Sequence, residues 1–469
     1  MEYDVVIGLE IHAELKTNTK VFCSCKNEFG AGHNKNTCPV CTGMPGALPI
    51  INKRAVELCI KAGLCFGCQI NEYAVMERKN YFYPDLSKAY QISQLVYPIC
   101  LNGGITLENG EFKALNRIHL EEDAGKLNHI SRAVGTLVDY NRGGTPLIEI
   151  VTEPVFHSAE EVDEFLKKIR EALIFADIAN CKMEQGGMRC DVNLSLKPQG
   201  SDKLGTRTEM KNLNSFKSVF RAINYEIERQ KEVLENRGVV LQETRKWDDN
   251  LGENFTMRSK EEAQDYRYFP DPDILPMIIT REDIEKVKAE IPTLPQTRRN
   301  TYINDYQISK PDALILTSSK YISDYFENCV KIYNNPKKIS NWIVTDVLRI
   351  VKDGEDLTFP INEKDLTTII QMVEDKKLTK SNGLIVMEQV ISSNKNPEQI
   401  AKEMNLISSI TEEQIAKILE QFKLENPKAV QDLKTDPKVI SFIIGYVMKN
   451  TQGKANGAIV KQLVDKMFN

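Results

Sequence analysis

Four cysteines near the N-terminus, in Cys23-Ser-Cys25 and Cys38-Pro-Val-Cys41, make two close pairs separated by twelve residues. Four thiolates so spaced can close a tetrahedral Zn²⁺ site, and Cys-Pro-x-Cys followed by Gly43 has the form of a metal knuckle. The first pair, with one intervening residue, is tighter than the common spacing. Four coordinating thiolates leave no open position, so the expected role is structural. The alternative is a set of cysteines buried in a loop-rich segment. Cys65-Phe-Gly-Cys68 is a single CxxC in apolar surroundings and reads as packing.

A second group is acidic. Glu10 and His12, Glu121 to Asp123, Glu149, Asp191 and Glu209 are spread over 200 residues, yet several fall on the polar faces of short strands. One sheet can bring such residues together. Carboxylates with an imidazole suit a hard cation, and Mg²⁺ held this way normally also holds a nucleotide phosphate. The plainer reading is that these polar faces are solvated.

A third group is Arg78-Lys-Asn-Tyr-Phe-Tyr-Pro-Asp85, followed by Lys88 and Tyr90. Aromatic side chains interleaved with Arg and Lys can stack on a base and pair with phosphates. The same composition also suits a packed loop. Asn141-Arg-Gly-Gly-Thr-Pro146 can offer backbone N–H groups to an anion. The sequence has no P-loop, since Gly453-Lys454 lacks the upstream glycine and the hydroxyl residue, and no Gly-x-Ser-x-Gly elbow or protein-kinase signature set.

The elements that must position these groups follow from periodicity. Tyr3, Val5, Ile7, Leu9, Ile11, Ala13 and Leu15 are apolar at every second position, which predicts a strand with Glu10, His12 and Glu14 on its other face. Cys190, Val192, Leu194 and Leu196 alternate with Arg189, Asp191, Asn193 and Ser195 in a second strand. Arg117, His119, Glu121 and Asp123 make a third polar row, whose alternation Glu122 breaks. Ser158 with Glu161 predicts a capping box opening a helix to Asp177. Ser215 to Arg237 predicts another, stopped by Gly238. Phe269-Pro-Asp-Pro-Asp-Ile-Leu-Pro276 holds three prolines and is expected to be irregular. The first domain boundary is expected at Ile291-Pro-Thr-Leu-Pro295. Beyond it the chain reads as amphipathic helices with short polar turns around Asn335-Pro336 and Asn396-Pro397.

At 469 residues the chain is long enough for two or three domains. Met1 is followed at once by Glu2 and Asp4, without a basic region before an apolar run, and Val439 to Met448 is too short to span a bilayer. A cytoplasmic protein with no membrane partner is expected. A net charge of −5 argues against general nucleic-acid binding, although Lys438, Lys449, Lys454, Lys461 and Lys466 face only Asp465 after Pro437. Eleven cysteines, odd in number and partly clustered, argue against a disulfide framework. All five histidines (His12, His33, His119, His129 and His157) lie in the first third, so His-based chemistry must be there.

Several motifs occur in one order: Gly8-Leu-Glu-Ile-His12, the four cysteines, Arg78-Lys-Asn-Tyr-Phe-Tyr-Pro-Asp-Leu86 and Arg117-Ile-His-Leu-Glu-Glu-Asp-Ala-Gly-Lys126. Asp139-Tyr-Asn-Arg142, Arg189-Cys-Asp-Val-Asn193, Glu209-Met-Lys-Asn-Leu-Asn-Ser-Phe216 and Asp265-Tyr-Arg-Tyr-Phe-Pro270 follow. The series closely resembles the B subunit of the aspartyl/glutamyl-tRNA amidotransferase, the GatB family, over essentially the whole chain. The resemblance implies an α+β protein. A β-rich N-terminal cradle domain (1–292, with a zinc-binding insert at 23–41) would precede an all-helical domain (293–408) and a small helical YqeY-like tail (409–469). It implies that ATP phosphorylates the side-chain carboxylate of misacylated Glu-tRNA(Gln) or Asp-tRNA(Asn), and that ammonia then displaces the phosphate.

The metal and phosphate site it implies would use Glu10, His12, Glu121 or Glu122, Glu149, Asp191 and Glu209, with Mg²⁺ on Glu10, His12, Asp191 and Glu209. Lys79 and Tyr81 would contact the nucleotide or the tRNA terminus, and Cys23, Cys25, Cys38 and Cys41 would hold Zn²⁺. The implied partners in a heterotrimer are the amidase A subunit, which supplies ammonia, and the small C subunit. The alternative class is a non-catalytic, zinc-containing tRNA-binding module.

Overall fold

A computed structural model describes residues 2–129, 135–259, 265–351, 359–393, 395–407, 412–433, 439–451, 455 and 457–468. The chain forms two compact units, Met1–Pro295 and Gln296–Asn469. The first contains β1 (Tyr3–Glu14), α1 (Lys53–Cys65), β2 (Gln69–Ile70), β3 (Glu77–Asn80), β4 (Tyr90–Ser93), β5 (Cys100–Leu101) and β6 (Phe112–Glu122). It continues with β7 (Pro146–Thr152), α2 (Ala159–Phe175), β8 (Met188–Pro198), β9 (Thr208–Lys211), α3 (Phe216–Glu235), β10 (Glu243–Asp248) and β11 (Glu253–Ser259).

Nine of these strands form the path of one ten-stranded sheet, in the order β11-β10-β9-β8-β1-β7-β6-β5-β2. β9 and β10 run parallel, while β1 is antiparallel to both of its neighbours. The alternation in β1 explains its central place. Ile7, Leu9, Ile11 and Ala13 are buried, in one core cluster with Val162, Phe165, Leu166 and Ile169 of α2. Burying each large aliphatic side chain contributes roughly 1.5–3 kcal/mol. The opposite face of the strand is left for polar groups.

Local details depart from the simplest reading of the sequence in three places. Ser158 caps α2 by accepting from the Glu161 N–H at 3.2 Å, but the Glu161 carboxylate accepts from the His157 N–H at 2.9 Å and from Lys113 at 2.8 Å. The capping box is therefore half formed, because a buried lysine competes for the acid. At the end of α3, Arg237 takes the left-handed conformation with φ 57°, and the Gly238 N–H closes the turn on the Val233 carbonyl at 2.8 Å. The Phe269–Pro276 segment is not wholly irregular. Phe269–Pro270 pairs with β3, a short edge pairing of the kind proline permits.

The second unit is helical and holds two separate hydrophobic clusters. One centres on Phe326, Trp342, Leu366 and Ile370, the other on Leu419, Phe422, Ile443 and Val447. Asn335 and Asn396 cap helices that open with Pro336 and Pro397, so these polar turns are helix starts. The expected boundary at 408/409, Pro437, Lys438 and most of Gly453-Lys-Ala-Asn456 lie outside the described residues.

Glu226, fully buried on α3, ties α3 to the sheet. It accepts from Thr208 at 2.7 Å, Gln230 at 2.8 Å, Asn254 at 2.8 Å and Arg229 at 2.6 Å. Burial works against its charge, yet Arg229, Gln230 and Thr208 outweigh that and hold the carboxyl below its ordinary range. Its stabilising contribution is complete above the unfolded carboxylate pKa of about 4.3. It is lost as pH falls through the lower folded value. Glu226→Ala should cost roughly 3–5 kcal/mol near neutral pH. Denaturant titrations should show the gap from the parent closing in acid.

Candidate functional site

Sheet register assembles the acidic group. In antiparallel pairs, residues directly opposite one another share a face. His12 on β1 lies opposite Glu149 on β7 and Arg189 on β8, and Glu149 lies opposite His119 on β6. One row along, Glu10 lies opposite Asp191. Glu209 on β9 lies opposite Asn193 of β8 and Thr244 of β10. Residues far apart in sequence thus line one cleft of about 700 Å³, together with Lys79, Tyr81, Glu121, Arg207, Lys211 and Tyr266.

Two ligand-capable triads stand in this cleft. The first is His12, Glu121 and Glu149, and the second is Glu10, Asp191 and Glu209, each with donor atoms within 4.8 Å of one another. In the first triad, His12 Nε2 is 3.2 Å from Glu121 and 3.6 Å from Glu149. His119 Nε2 lies behind them, 3.2 Å from Glu149 and 3.7 Å from Glu121. Burial disfavours a charged imidazole in both rings. For His12 the Glu121 hydrogen bond and charge outweigh it, with Glu149, and the pKa is raised. For His119 the Glu149 charge and the hydrogen bonds to Glu121 and Glu149 carry it up to about 9.

The second triad is tied to a cation from the protein itself. Lys211 Nζ is 2.5 Å from Asp191 Oδ2 and 2.9 Å from Glu209 Oε1. Glu10 accepts from Asn193 Nδ2 at 3.0 Å, and Glu209 accepts from Thr244 Oγ1 at 2.8 Å. Burial pushes the Glu10 carboxyl above its ordinary range, helped by the charges of Glu149 and Glu209. The second set is all carboxylate, which suits a hard cation such as Mg²⁺; the first combines two carboxylates with an imidazole and also suits a divalent cation.

Glu121 and Glu122 point apart. Glu121 enters the cleft, whereas Glu122 pairs with Lys88 at 2.7 Å and accepts from the Ile92 N–H at 2.9 Å. Asp123 is held by Arg142 and, at 2.9 Å, by Arg189.

The aromatic and basic tract splits in the same way. Lys79 reaches the cleft, with its ammonium 4.8 Å from the centre of the Tyr266 ring, and Tyr81 packs edge-on against Tyr266. Arg78, by contrast, is bound to Asp271 and Asp273 at 2.8 Å each and covers Tyr90. Arg78, Lys88 and Tyr90 therefore hold the loop together and do not line the cleft. The Gly143 and Gly144 N–H groups go to the Tyr140 and Asp123 carbonyls, so the Asn141–Pro146 loop does not present them to an anion.

The four cysteines Cys23, Cys25, Cys38 and Cys41 converge with their sulfurs within 4.8 Å, as a tetrahedral metal site requires. The Cys38 N–H donates to Cys41 Sγ at 3.2 Å. Fully buried Lys20 places its ammonium 3.5 Å from Cys41 Sγ and 3.0 Å from the Tyr140 carbonyl oxygen. The Cys23 thiol, with the Cys38 N–H and the Lys20 charge, holds Cys41 well below the usual thiol range. Cys65 and Cys68 stay apart from this group, and Cys68 is buried.

Lys211, Arg189, Arg207, His119 and Tyr266 escaped the sequence reading as site residues. Lys211 and Arg189 each stand two positions from an acidic candidate in the same alternation, which is a usable signal. Tyr266 lies in the Asp265-Tyr-Arg-Tyr-Phe-Pro270 motif, but only tertiary folding brings it over Tyr81 and into the cleft.

A sheet carrying an acidic, histidine-containing cleft, followed by a helical unit, defines a two-unit α+β protein whose candidate site lies in its first unit. A family model described as "GatB/GatE catalytic domain" matches residues 5–285, and one described as "GatB domain" matches residues 324–468. The chain is 50% identical to the B subunit of the aspartyl/glutamyl-tRNA(Asn/Gln) amidotransferase of Caldicellulosiruptor bescii, over 99% of this chain and 98% of that protein. It is 44% identical to the B subunits of the same amidotransferase from Thermoanaerobacter pseudethanolicus (99% of each chain) and Brevibacillus brevis (100% of this chain and 99% of that one). The chain belongs to the GatB family of amidotransferase B subunits. No helix among the described residues is long and apolar enough to cross a membrane.

Proposed function

We propose that the cleft binds ATP and the aminoacyl end of a misacylated tRNA, and activates the side-chain carboxylate of the attached glutamate or aspartate. The observation that carries this reading is the pairing of two carboxylate-rich triads with Lys79, Arg189, Arg207, Lys211 and two tyrosines in one cleft. A carboxylate is a poor electrophile at neutral pH. Its oxygen attacks the γ-phosphorus of ATP, the bridging P–O bond to ADP breaks, and an acyl phosphate results. Ammonia then attacks the acyl carbon, phosphate leaves, a proton is lost and the amide remains.

In this reading Glu10, His12, Glu121, Glu149, Asp191 and Glu209 would hold Mg²⁺, which supplies positive charge against the transferring phosphoryl group. The Lys and Arg side chains of the cleft hold and orient the phosphates, and Tyr81 and Tyr266 offer ring faces to a base. Cys23, Cys25, Cys38 and Cys41 hold a structural Zn²⁺. Ammonia comes from an amidase partner, the A subunit, joined through the small C subunit. Two pairs of adjacent serines, Ser318-Ser319 and Ser392-Ser393, are spent locally: Ser319 caps a helix, and the Ser318, Ser392 and Ser393 hydroxyls bond helix carbonyls. ATP hydrolysis by the purified complex tests the reading. It should depend on misacylated tRNA and persist without glutamine. ATP turnover that ignores tRNA, or none at all, would leave a zinc-containing tRNA-binding module.

The tail is assigned to the tRNA backbone, away from the acceptor end. Its support is the surplus of lysine after Pro437, including Lys449, Lys461 and Lys466. Removing residues 410–469 should weaken tRNA binding and flatten its salt dependence, because each lost phosphate contact takes about 0.9 from the slope of log K against log salt. The first unit should keep its thermal transition. Equal tRNA affinity with and without the tail would refute the assignment.

A further inference from the structure

We infer that Lys211 is an exchangeable internal cation: a divalent ion enters the Glu10–Asp191–Glu209 triad by displacing its ammonium, which then turns to the nucleotide phosphate. This deepens the proposed function and rests on its reading of the cleft as a metal and nucleotide site.

Three carboxylates share this half-buried space, and their negative charges repel at short range. Lys211 offsets part of that repulsion by touching two of them, Asp191 Oδ2 at 2.5 Å and Glu209 Oε1 at 2.9 Å. Glu10, the third, accepts instead from the neutral Asn193 amide, at 3.0 Å. A divalent ion coordinated by the triad needs Asp191 and Glu209 as ligands. Ammonium and metal would then repel each other across the oxygens they share, so the two compete. Arg189 cannot serve as the stand-in, because Asp123 holds it.

The displaced group has somewhere to go. Lysine carries its charge on a flexible four-carbon stem with three rotatable donors. The same cleft is lined by Lys79 and Arg207, so a polyphosphate drawn to them arrives beside Lys211. An anion that accepts the released ammonium removes the competitor from the triad. Metal and nucleotide therefore help each other bind by an amount that passes through one side chain, and by linkage the help is equal in both directions. Without nucleotide the triad stays closed on its own cation and binds metal weakly.

The test is Mn²⁺ binding, read by electron paramagnetic resonance on the full-length chain in its purified complex, with and without a non-hydrolysable ATP analogue. The parent should bind Mn²⁺ weakly alone and roughly 5- to 150-fold more tightly with the analogue, the usual range of such couplings. Lys211→Met should bind Mn²⁺ tightly without nucleotide and lose most of the enhancement. Lys211→Arg, which keeps a cation in place, should keep the weak nucleotide-free affinity. Asp191→Asn should lose the binding that Lys211→Met strengthens. If Asp191→Asn leaves Mn²⁺ binding unchanged, this triad is not a metal site, and both the exchange and the reading's assignment of metal to Glu10, Asp191 and Glu209 fail. If Asp191→Asn abolishes binding but Lys211→Met binds no tighter than the parent, the exchange alone is overturned.

Discussion

Asp191→Ala should lower the rate of carboxylate activation by about 10² to 10⁴, the loss expected when one charged group is removed from a phosphoryl-transfer site. Asp191 stands directly across the sheet from Glu10 and accepts the shortest contact of Lys211. Its removal takes a donor from the triad and leaves the Lys211 ammonium with one carboxylate fewer. The change should not unfold the domain, because β8 keeps its pairing with β1 and β9 and Asp191 lies on the polar face. The variant complex should bind tRNA and hydrolyse glutamine at its basal rate, yet fail to form the acyl phosphate. Free ammonia in place of glutamine should not restore amidation, since external ammonia rescues only a defect in delivery. Normal amidation of misacylated tRNA by Asp191→Ala with ammonia would remove the cleft from the reaction.

How far this site could be read from the sequence differs from residue to residue. The period-2 pattern of β1 placed Glu10, His12 and Glu14 on one face, and the pattern of β8 did the same for Arg189, Asp191 and Asn193. Alternation is local, so composition and spacing sufficed. Which rows meet is a question of register, which long-range pairing decides, and only the structure brings His12 opposite Glu149 and Glu10 opposite Asp191.

The choice between Glu121 and Glu122 was open for a related reason. Both are buried acids at the end of one strand, and the difference lies in Lys88 and the Ile92 N–H on the far side of Glu122. In the aromatic tract, composition leaves a base-stacking, phosphate-pairing role and a packed loop both open, because it cannot say which cations are already spent. Asp271 and Asp273, nearly 200 residues away, take Arg78, while Lys79 stays on the cleft wall. The half-formed capping box at Ser158 shows the same limit, since Lys113 lies 45 residues upstream of it. In the second unit the sequence reads amphipathic helices joined by polar turns at Asn335-Pro336 and Asn396-Pro397; the structure makes these pairs helix starts, because asparagine caps and proline suits the first helical position.

With zinc on the cysteine quartet as proposed, Cys38→Ala should lower the zinc content from about one ion per chain to none and loosen the loop that carries it. The quartet has structural consequences beyond its own ligands. The Thr42 N–H closes on the Cys38 carbonyl at 3.0 Å, and Gly43 follows at φ 68°. A Cβ on Gly43 would come within 2.7 Å of the Ser87 carbonyl oxygen, so the knuckle packs tightly on the loop between β3 and β4. Ser87 in turn donates to the Cys41 carbonyl at 2.8 Å. That loop joins the strand bearing Lys79 to the one bearing Gln91 of the cleft wall.

Lys20 adds a second argument. A fully buried ammonium needs a negative partner, and this one donates to Cys41 Sγ and a backbone carbonyl. Cys41, held well below the usual thiol range, provides that charge as a thiolate, which is also the form in which a cysteine ligates a metal. Structural zinc contributes apparent binding energies of roughly 10–16 kcal/mol in small domains. Its loss should therefore lower the thermal transition of the first unit by roughly 15–25 °C and raise hydrogen exchange at residues 19–44 and 83–90. Chelation of the parent should reproduce the Cys38→Ala behaviour, and Lys20→Met should weaken zinc retention in a chelator competition while leaving all four ligands in place. A parent protein that contains no zinc and keeps full stability would refute the assignment, and the four cysteines would then be a packed cluster of thiols.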